Sequence, residues 1–97
     1  MSILMEVFQE ELDRLNRQKI VYENSMAALP KGYISKKNIR GNMSYYLQYR
    51  EGGKVVSKYI PRDSLQELED KIARRKQLEN SLRRVAEDQK RLRKVLG

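Results

Sequence analysis

The chain has 97 residues, a formal net charge of +8 at pH 7, and neither cysteine nor histidine. A chain of this length forms one domain with a thin core, because small domains bury the smallest share of their surface. The missing residue types exclude disulfides and thiolate metal sites, together with the most common general base and transition-metal ligand. We therefore expect one domain over residues 1–97, with no catalytic residue, metal or cofactor.

Apolar residues occur only in short groups along the chain. No apolar run approaches the ~18 residues that a membrane-spanning helix needs, and the N-terminal segment turns acidic where a signal peptide is basic. These features predict a cytoplasmic protein without membrane contact.

The first predicted element is a long helix over residues 2–29. Ser2 is suited to cap it, because a serine hydroxyl can accept a hydrogen bond from a backbone N–H of the first turn. Pro30 and Gly32 favour the end of the helix. The helix carries an apolar stripe that Lys19 interrupts, and this stripe needs another element to pack against. The stripe has the three-and-four spacing of one helical face and consists of Leu4, Val7, Phe8, Leu12, Leu15, Tyr22, Met26 and Leu29.

Residues 32–60 change from helical to alternating periodicity and predict an antiparallel sheet. Arg40–Asn42 and Gly52–Gly53 are turn sequences, because glycine and asparagine accept a positive φ. The result is a three-stranded β-meander with strands over Tyr33–Lys37, Met43–Arg50 and Val55–Ile60.

A two-residue turn at Gly52–Gly53 determines which side chains of the last two strands share a face. One face takes the pairs Tyr49 with Val56, Leu47 with Lys58 and Tyr45 with Ile60. The other face takes the pairs Tyr46 with Tyr59, Gln48 with Ser57 and Arg50 with Val55. The first face is apolar enough to pack against a helix, and the second is polar with two tyrosines. A one-residue bulge at Gly53 is the alternative, and it would change these pairings.

The last predicted element is a helix over residues 63–96, which contains no proline and no glycine. Asp63 or Ser64 is suited to cap it, each within a capping-box sequence. Its apolar seam changes phase near residues 74–76, which indicates a coiled-coil stammer, and Gln89 lies on the seam. The seam residues are Leu65, Leu68 and Ile72 before the change and Leu78, Leu82, Val85, Leu92 and Leu96 after it.

Both helices need a partner for their apolar stripes. An antiparallel, coiled-coil-like pair covers both stripes, so the predicted fold class is α+β, with a long N-terminal helix, a three-stranded antiparallel sheet and a long C-terminal helix. Part of the seam of the last helix stays uncovered in this arrangement, at Val85, Leu92 and Leu96, which suggests a homodimer.

The positive charge is concentrated on the predicted sheet. Residues 1–30 have a net charge of −2, residues 31–62 of +7 and residues 63–97 of +3. Lysine and arginine neutralise phosphates, and tyrosines on a sheet can stack on unpaired bases or lie against a groove. We therefore expect a surface that binds nucleic acid, DNA or RNA, made of Lys36, Lys37, Arg40, Tyr46, Arg50, Lys54, Lys58 and Tyr59.

Each of these features also has a purely structural interpretation. Strands favour tyrosine, and lysines on a small sheet prevent edge-to-edge aggregation. The basic last helix could hold a phosphate backbone. However, three pairs stand four apart, acid first, as in a solvated helix: Glu67 with Lys71, Asp70 with Arg74, and Glu87 with Arg91. No nucleophile with a base, metal-ligand spacing or phosphate-binding glycine loop occurs, so we expect a protein that is not an enzyme.

The segment LPKGYISKKNIRGNMSYYLQYREGGKVVSKYI, residues 29–60, resembles the signature of an uncharacterised small-protein family of bacteria, archaea and their mobile elements. The pattern LPKGxIxKKxIRG...YYLQYREGGKVxSKY sits between helices in that family, so the resemblance implies the order helix, sheet, helix. Met43–Ser44 departs from the pattern, which often has a further aromatic residue there. The sheet also looks loosely similar to the arm-binding sheets of tyrosine recombinases, which lay a basic sheet against a DNA groove.

Three functions are compatible with this resemblance. The first is a non-catalytic protein of a mobile element or prokaryotic host that binds nucleic acid. The second is a phage-encoded inhibitor, similar to anti-CRISPR proteins, that binds a nucleic-acid-guided nuclease. Because inhibitors that imitate DNA are usually acidic, this basic chain would instead bind an acidic patch, lock a conformation or bind the guide RNA. The third is an oligomerisation module.

Overall fold

The computed structural model describes residues 2–97, and Met1, the first residue of the predicted domain, lies outside that range. The predicted α+β fold and its order of helix, three-stranded sheet and helix are confirmed. The elements are α1 (Ile3–Ala27), β1 (Tyr33–Ile39), β2 (Asn42–Glu51), β3 (Lys54–Ile60) and α2 (Arg62–Leu96). Within the described range, no helix is long and apolar enough to cross a membrane.

Helix α1 begins with the predicted cap. The Ser2 hydroxyl accepts a hydrogen bond from the Met5 N–H at 3.2 Å, which satisfies a donor that the first turn of a helix leaves unpaired. The helix ends at Ala27, before the predicted limit of residue 29. Pro30 disfavours helical geometry in the residue before it, and Gly32 has a positive φ of 114°.

Helix α2 begins one residue earlier than predicted. Strand pairing continues to Ile60, and the Pro61 carbonyl accepts a hydrogen bond from the Ser64 N–H at 3.0 Å, so the helix opens at Arg62. The prediction that Asp63 or Ser64 caps the helix is therefore wrong, because both lie inside the first turn. Asp63 still favours the helix, since a carboxylate near the N-terminus complements the helix dipole.

Contacts between α-carbons divide the chain into two compact units. The first, termed the helix-pair unit, comprises residues 2–28 and 76–97. The second, termed the sheet unit, comprises Leu29–Arg75. Helix α2 is continuous and contributes residues to both units.

Within the helix-pair unit, α1 and the later part of α2 pack antiparallel, as predicted. The Gln89 amide donates to Asn16 Oδ1 at 2.7 Å, and Met5 lines a recess together with Leu96, so early residues of α1 meet late residues of α2. The core of this unit is made of the three buried apolar residues Leu15, Leu78 and Val85.

From Phe8 onward the apolar residues of the α1 stripe are buried or half-buried as predicted, and the stripe differs only at its start and at Lys19. Leu4 and Val7 are exposed, although the sequence placed them on the stripe. Gln18 lies on the stripe in place of Lys19, and its amide donates to the Tyr22 hydroxyl at 2.8 Å. Glutamine can satisfy its polar group beside the partner helix, whereas a lysine there would have to desolvate its charge.

The predicted phase change in the α2 seam occurs at Arg75. Ile72, Arg75 and Leu78 follow one another at three-residue spacing, and none of them is fully exposed. Arg75 takes a seam position because its guanidinium donates to the Leu29 carbonyl oxygen at 2.8 Å. Gln89, which was also predicted on the seam, is 3% exposed.

The seam that suggested a homodimer is covered within the helix-pair unit. Val85 is buried, and Leu92 and Leu96 are half-buried. These three residues are therefore not available to a second chain, contrary to the expectation from the sequence. The large apolar side chains that stay exposed in this unit are Ile3, Leu4, Val7, Ile20, Val21 and Val95.

The sheet is an antiparallel meander in the order β1-β2-β3, as predicted. Glu51 pairs with Lys54 around the turn Gly52–Gly53, and all six predicted pairs between β2 and β3 are present. Each strand is longer than predicted, because the ladders continue to the residues next to both turns.

The turn between β1 and β2 is shorter than predicted. Ile39 pairs with Asn42, so the turn contains only Arg40 and Gly41, with φ of 53° and 82°. The assignment of Asn42 to the turn is therefore wrong. A two-residue turn with positive φ at both positions follows the right-handed twist of the strands, which favours this shorter connection.

Candidate nucleic-acid interface

The register sorts the strand residues onto two faces, because residues directly opposite in an antiparallel pair point to the same side. One face, termed the tyrosine face, comprises Tyr33, Ser35, Lys37, Ile39, Asn42, Ser44, Tyr46, Gln48, Arg50, Val55, Ser57 and Tyr59. The other face, termed the helix-side face, comprises Ile34, Lys36, Asn38, Met43, Tyr45, Leu47, Tyr49, Glu51, Lys54, Val56, Lys58 and Ile60.

The helix-side face lies toward the first turns of α2. Leu47 and Ile60 line a recess together with Ser64 and Leu68, and Ile60 is 4% exposed. The sequence predicted that this face packs against a helix, and the sheet unit confirms it. The tyrosine face points the other way, since neighbouring residues of a strand alternate between faces.

The eight residues predicted to bind nucleic acid do not share one face. The tyrosine face holds Lys37, Tyr46, Arg50 and Tyr59. The helix-side face holds Lys36, Lys54 and Lys58. Arg40 belongs to neither face, because it lies in the turn between β1 and β2. The fold thus brings four of the eight side chains together on one surface.

Tyr46 and Tyr59 contact each other across β2 and β3. Their ring centres are 5.8 Å apart and their planes are inclined by 70°, the edge-to-face geometry that aromatic pairs prefer. The Lys37 ammonium nitrogen lies 4.7 Å from the centre of the Tyr46 ring, within cation–π distance. Tyr59 is nevertheless 63% exposed, so its ring keeps a surface that a ligand can contact.

Tyr33 is a member of this surface that the sequence analysis missed. It is 60% exposed, pairs with Gln48 and donates a hydrogen bond from its hydroxyl to the Gln48 amide oxygen. The three-residue turn assumed from the sequence left the β1–β2 register undefined. A two-residue turn at Arg40–Gly41 is the signal that would have placed Tyr33 on the same face as Tyr46 and Tyr59.

A shallow recess of about 330 Å³ opens beside Tyr33. Its lining combines the Tyr33 ring with the polar side chains of Gln48 and Arg50 and with Val55; Gly32 and Tyr49 complete it. The recess therefore offers an aromatic wall next to hydrogen-bond donors.

The tyrosine face carries no carboxylate among the described residues. Glu51 is the one acidic residue of the three strands, and it lies on the helix-side face beside Lys54. Lys37 and Arg50 are the cations of the tyrosine face. The Arg50 guanidinium has no hydrogen bond or ion pair within residues 2–97, so its charge stays available to a ligand.

Two of the three lysines of the helix-side face, Lys36 and Lys58, contact tyrosines of the same face. The Lys58 nitrogen lies 5.5 Å from the centre of the Tyr49 ring, and that of Lys36 lies 6.0 Å from the Tyr45 ring. A hydrogen bond to the Tyr49 hydroxyl raises the pKa of Lys58. These contacts give these two lysines a role within the sheet unit itself.

Helix α2 uses several of its charges for internal pairs. Lys71 lies 3.1 Å from Glu67, the pair expected from the spacing, while Arg91 pairs with Asp88 at 3.7 Å instead of with the predicted Glu87. Asp70 accepts a hydrogen bond from the Gln66 amide at 3.0 Å instead of pairing with the predicted Arg74. These pairs fit the solvated-face interpretation of the helix. Across residues 2–97, no group of three or more acidic residues is arranged to hold a metal ion.

A family model described as a domain of unknown function, DUF6788, matches residues 9–70. The match spans all three strands, parts of both helices and the whole segment 29–60. No curated protein and no solved structure matches the chain.

Proposed function

This chain belongs to the DUF6788 family, and we propose that it is a non-catalytic protein that binds nucleic acid through its tyrosine face. One observation carries the proposal: two exposed tyrosine rings share that face with two cations and with no carboxylate. A phosphate backbone meets attraction there without local repulsion, and the rings provide surfaces on which bases can stack.

The distribution of charge over the whole chain supports the same assignment. Residues 31–62, which include the sheet, carry a net charge of +7 out of a total of +8. A field of this size raises the rate at which a polyanion meets the sheet. The contact surface is then selected by side-chain geometry, which favours the tyrosine face because Glu51, the acidic residue of the strands, lies on the other face.

The signature segment, residues 29–60, supplies every residue of the tyrosine face. In this proposal it is therefore the binding element that members of the family with the same signature share. The likeness to the arm-binding sheets of tyrosine recombinases fits a small basic sheet as the contact surface, with DNA as one ligand.

The proposal is tested with two double variants that remove the same charge. Lys37→Gln with Arg50→Gln removes both cations of the tyrosine face, and Arg84→Gln with Lys90→Gln removes two exposed cations of α2. Binding to a fluorescent oligonucleotide is followed by anisotropy at several salt concentrations. We expect the first variant to bind more weakly and to lose between about one and two from the salt slope, roughly one for each of the two cations that contacts a phosphate.

The two double variants remove the same amount of charge at different positions, so a difference between them reports the position alone. If both double variants lose the same affinity and slope, binding follows net charge alone and the tyrosine face is not the contact surface. A pulldown of the unchanged protein from cells, washed at high salt, tests the inhibitor function. If it retains one stoichiometric protein partner and no nucleic acid, the inhibitor function replaces this proposal.

The proposal includes a homodimer formed by the helix-pair unit. Ile3, Leu4, Val7 and Val95 leave an exposed apolar area where α1 begins and α2 ends. Acidic side chains on α1 and basic ones in the last turn of α2 flank it. In a two-fold arrangement each patch meets its own copy, so the acids of one protomer face the bases of the other. The flanking charged residues are Glu6, Glu10, Arg93 and Lys94.

A further inference from the structure

The recess beside Tyr33 holds hydrogen-bond donors that the fold does not use. The Gln48 amide oxygen accepts from the Tyr33 hydroxyl, which leaves the amide nitrogen of Gln48 without a partner in residues 2–97. The Arg50 guanidinium is equally unpaired. Two donors beside an aromatic ring match a planar group whose edge carries acceptor atoms, as every nucleobase does.

The size of the recess limits what it can hold. Its volume of about 330 Å³ lies at the lower end of the range of roughly 300–1,000 Å³ that small-molecule sites occupy. A single planar ring system fits this space, whereas a base within a duplex can place its ring in the recess only by leaving its stack.

The spacing of the exposed rings also disfavours stacked bases. Tyr33 lies on β1 and Tyr59 on β3, and strands separated by a third strand lie about 9–10 Å apart. Consecutive bases of a duplex strand are only about 3.4 Å apart. Two consecutive bases that each contact one of these rings must therefore belong to an extended strand whose bases have separated.

The charge of the face points the same way. Duplex-binding proteins commonly make about 6–10 phosphate contacts, and the tyrosine face offers the two cations Lys37 and Arg50. With so few phosphate contacts, stacking has to supply a larger share of the binding free energy. Only unpaired bases expose the ring surfaces that stacking requires.

We infer that the tyrosine face binds single-stranded nucleic acid, with one unpaired base in the recess between Tyr33 and Arg50 and a second base on Tyr59. This inference rests on the proposed function and assigns its ligand class. Gln48 and Arg50 donate hydrogen bonds to the edge of the first base, while Lys37 contacts the backbone near the second.

The test compares a labelled single strand of about twelve nucleotides with the duplex of the same sequence, by anisotropy at one salt concentration. We expect tighter binding of the single strand. Tyr33→Leu should weaken that binding by at least about five-fold, since it removes one base–aromatic stack. Tyr33→Phe keeps the ring and should bind within a factor of about two of the unchanged protein, the loss of one neutral hydrogen bond being small.

A second measurement uses the unchanged protein, so that it does not depend on the folding of a variant. Oligonucleotides in which the bases are replaced by abasic sites keep every phosphate, and we expect them to bind at least about five-fold more weakly. Circular dichroism checks that both Tyr33 variants keep their helix content.

The outcomes separate the two proposals. Equal or tighter binding of the duplex, or unchanged affinity for the abasic strand, overturns the single-strand inference and leaves the proposed function standing. Absence of salt-dependent binding to either oligonucleotide overturns the proposed function, and the inference with it. Single-strand binding that Tyr33→Leu weakens and Tyr33→Phe preserves supports both.

Discussion

At the scale of single residues, Gly32 shows how closely the chain approaches the sheet. Its φ of 114° lies in the region that residues with a side chain avoid. A Cβ at this position would also collide with the backbone carbonyl oxygen of Gln48. Backbone conformation and lack of space therefore each favour glycine at this position, which lies just before β1.

We expect Gly32→Ala to lower the free energy of unfolding by about 2–4 kcal/mol, the sum of backbone strain and steric displacement. Gly53→Ala is the matched control. Gly53 also has a positive φ, of 79°, but a Cβ there would meet nothing within 4 Å, so its cost should stay near ~1 kcal/mol. Urea denaturation followed by circular dichroism gives both values, and equal losses would show that the contact with Gln48 is unimportant.

The sequence predicted residue-scale features best where the chemistry is local. Ser2 caps α1 as its hydroxyl and its position indicated, and Gln89 lies on the α2 seam. The caps predicted for α2 failed at Asp63 and Ser64, because strand pairing through Ile60 and the geometry of Pro61 start the helix earlier.

At the scale of elements, the two hairpins illustrate how a turn determines a register. The Gly52–Gly53 turn was assigned correctly, and with it every pair between β2 and β3. The Arg40–Gly41 turn was given one residue too many, because Asn42 is itself a common turn residue. This single residue hid Tyr33 from the candidate site.

Arg40 occupies a turn position that suits asparagine better. Its φ of 53° is uncommon for a residue with a long side chain, whereas Asn-Gly is the preferred sequence for a two-residue turn with positive φ. We expect Arg40→Asn to raise the free energy of unfolding by about 0.5–1 kcal/mol, measured by thermal denaturation.

The same variant also informs on binding, because Arg40 lies in the turn and on neither face of the sheet. If the tyrosine face is the contact surface, Arg40→Asn should lose less affinity than Arg50→Gln in the anisotropy assay. A larger loss for Arg40→Asn would move the contact surface to the turn.

At the scale of the whole molecule, the homodimer depends on which apolar side chains the monomer leaves exposed. The proposed homodimer surface lies at Leu4 and Val7 near the start of α1, because these residues are exposed whereas the helix pair covers Val85, Leu92 and Leu96. Association through Leu4 and Val7 predicts that the protein in solution has the mass of two chains.

We expect light scattering to give the mass of two chains at high protein concentration. The double variant Leu4→Glu with Val7→Glu should give the mass of one chain, since the interface would then have to bury charged carboxylates in place of apolar side chains. Ile20→Glu with Val21→Glu removes two equally exposed apolar residues of the same helix and should leave the dimer intact. A monomer at all concentrations would contradict the dimer, and dissociation by both variants would contradict its position.

By itself, the sequence determined the element order, the antiparallel meander, the β2–β3 register and the phase change in α2. These features depend on periodicity, proline, glycine and turn chemistry within short stretches of chain. Only the tertiary structure decided that Gln18 replaces Lys19 on the α1 stripe, that Arg75 binds the Leu29 carbonyl, and that the predicted binding residues divide between two faces. Each of these outcomes depends on what a distant segment places opposite a side chain, and no local pattern of residues encodes that.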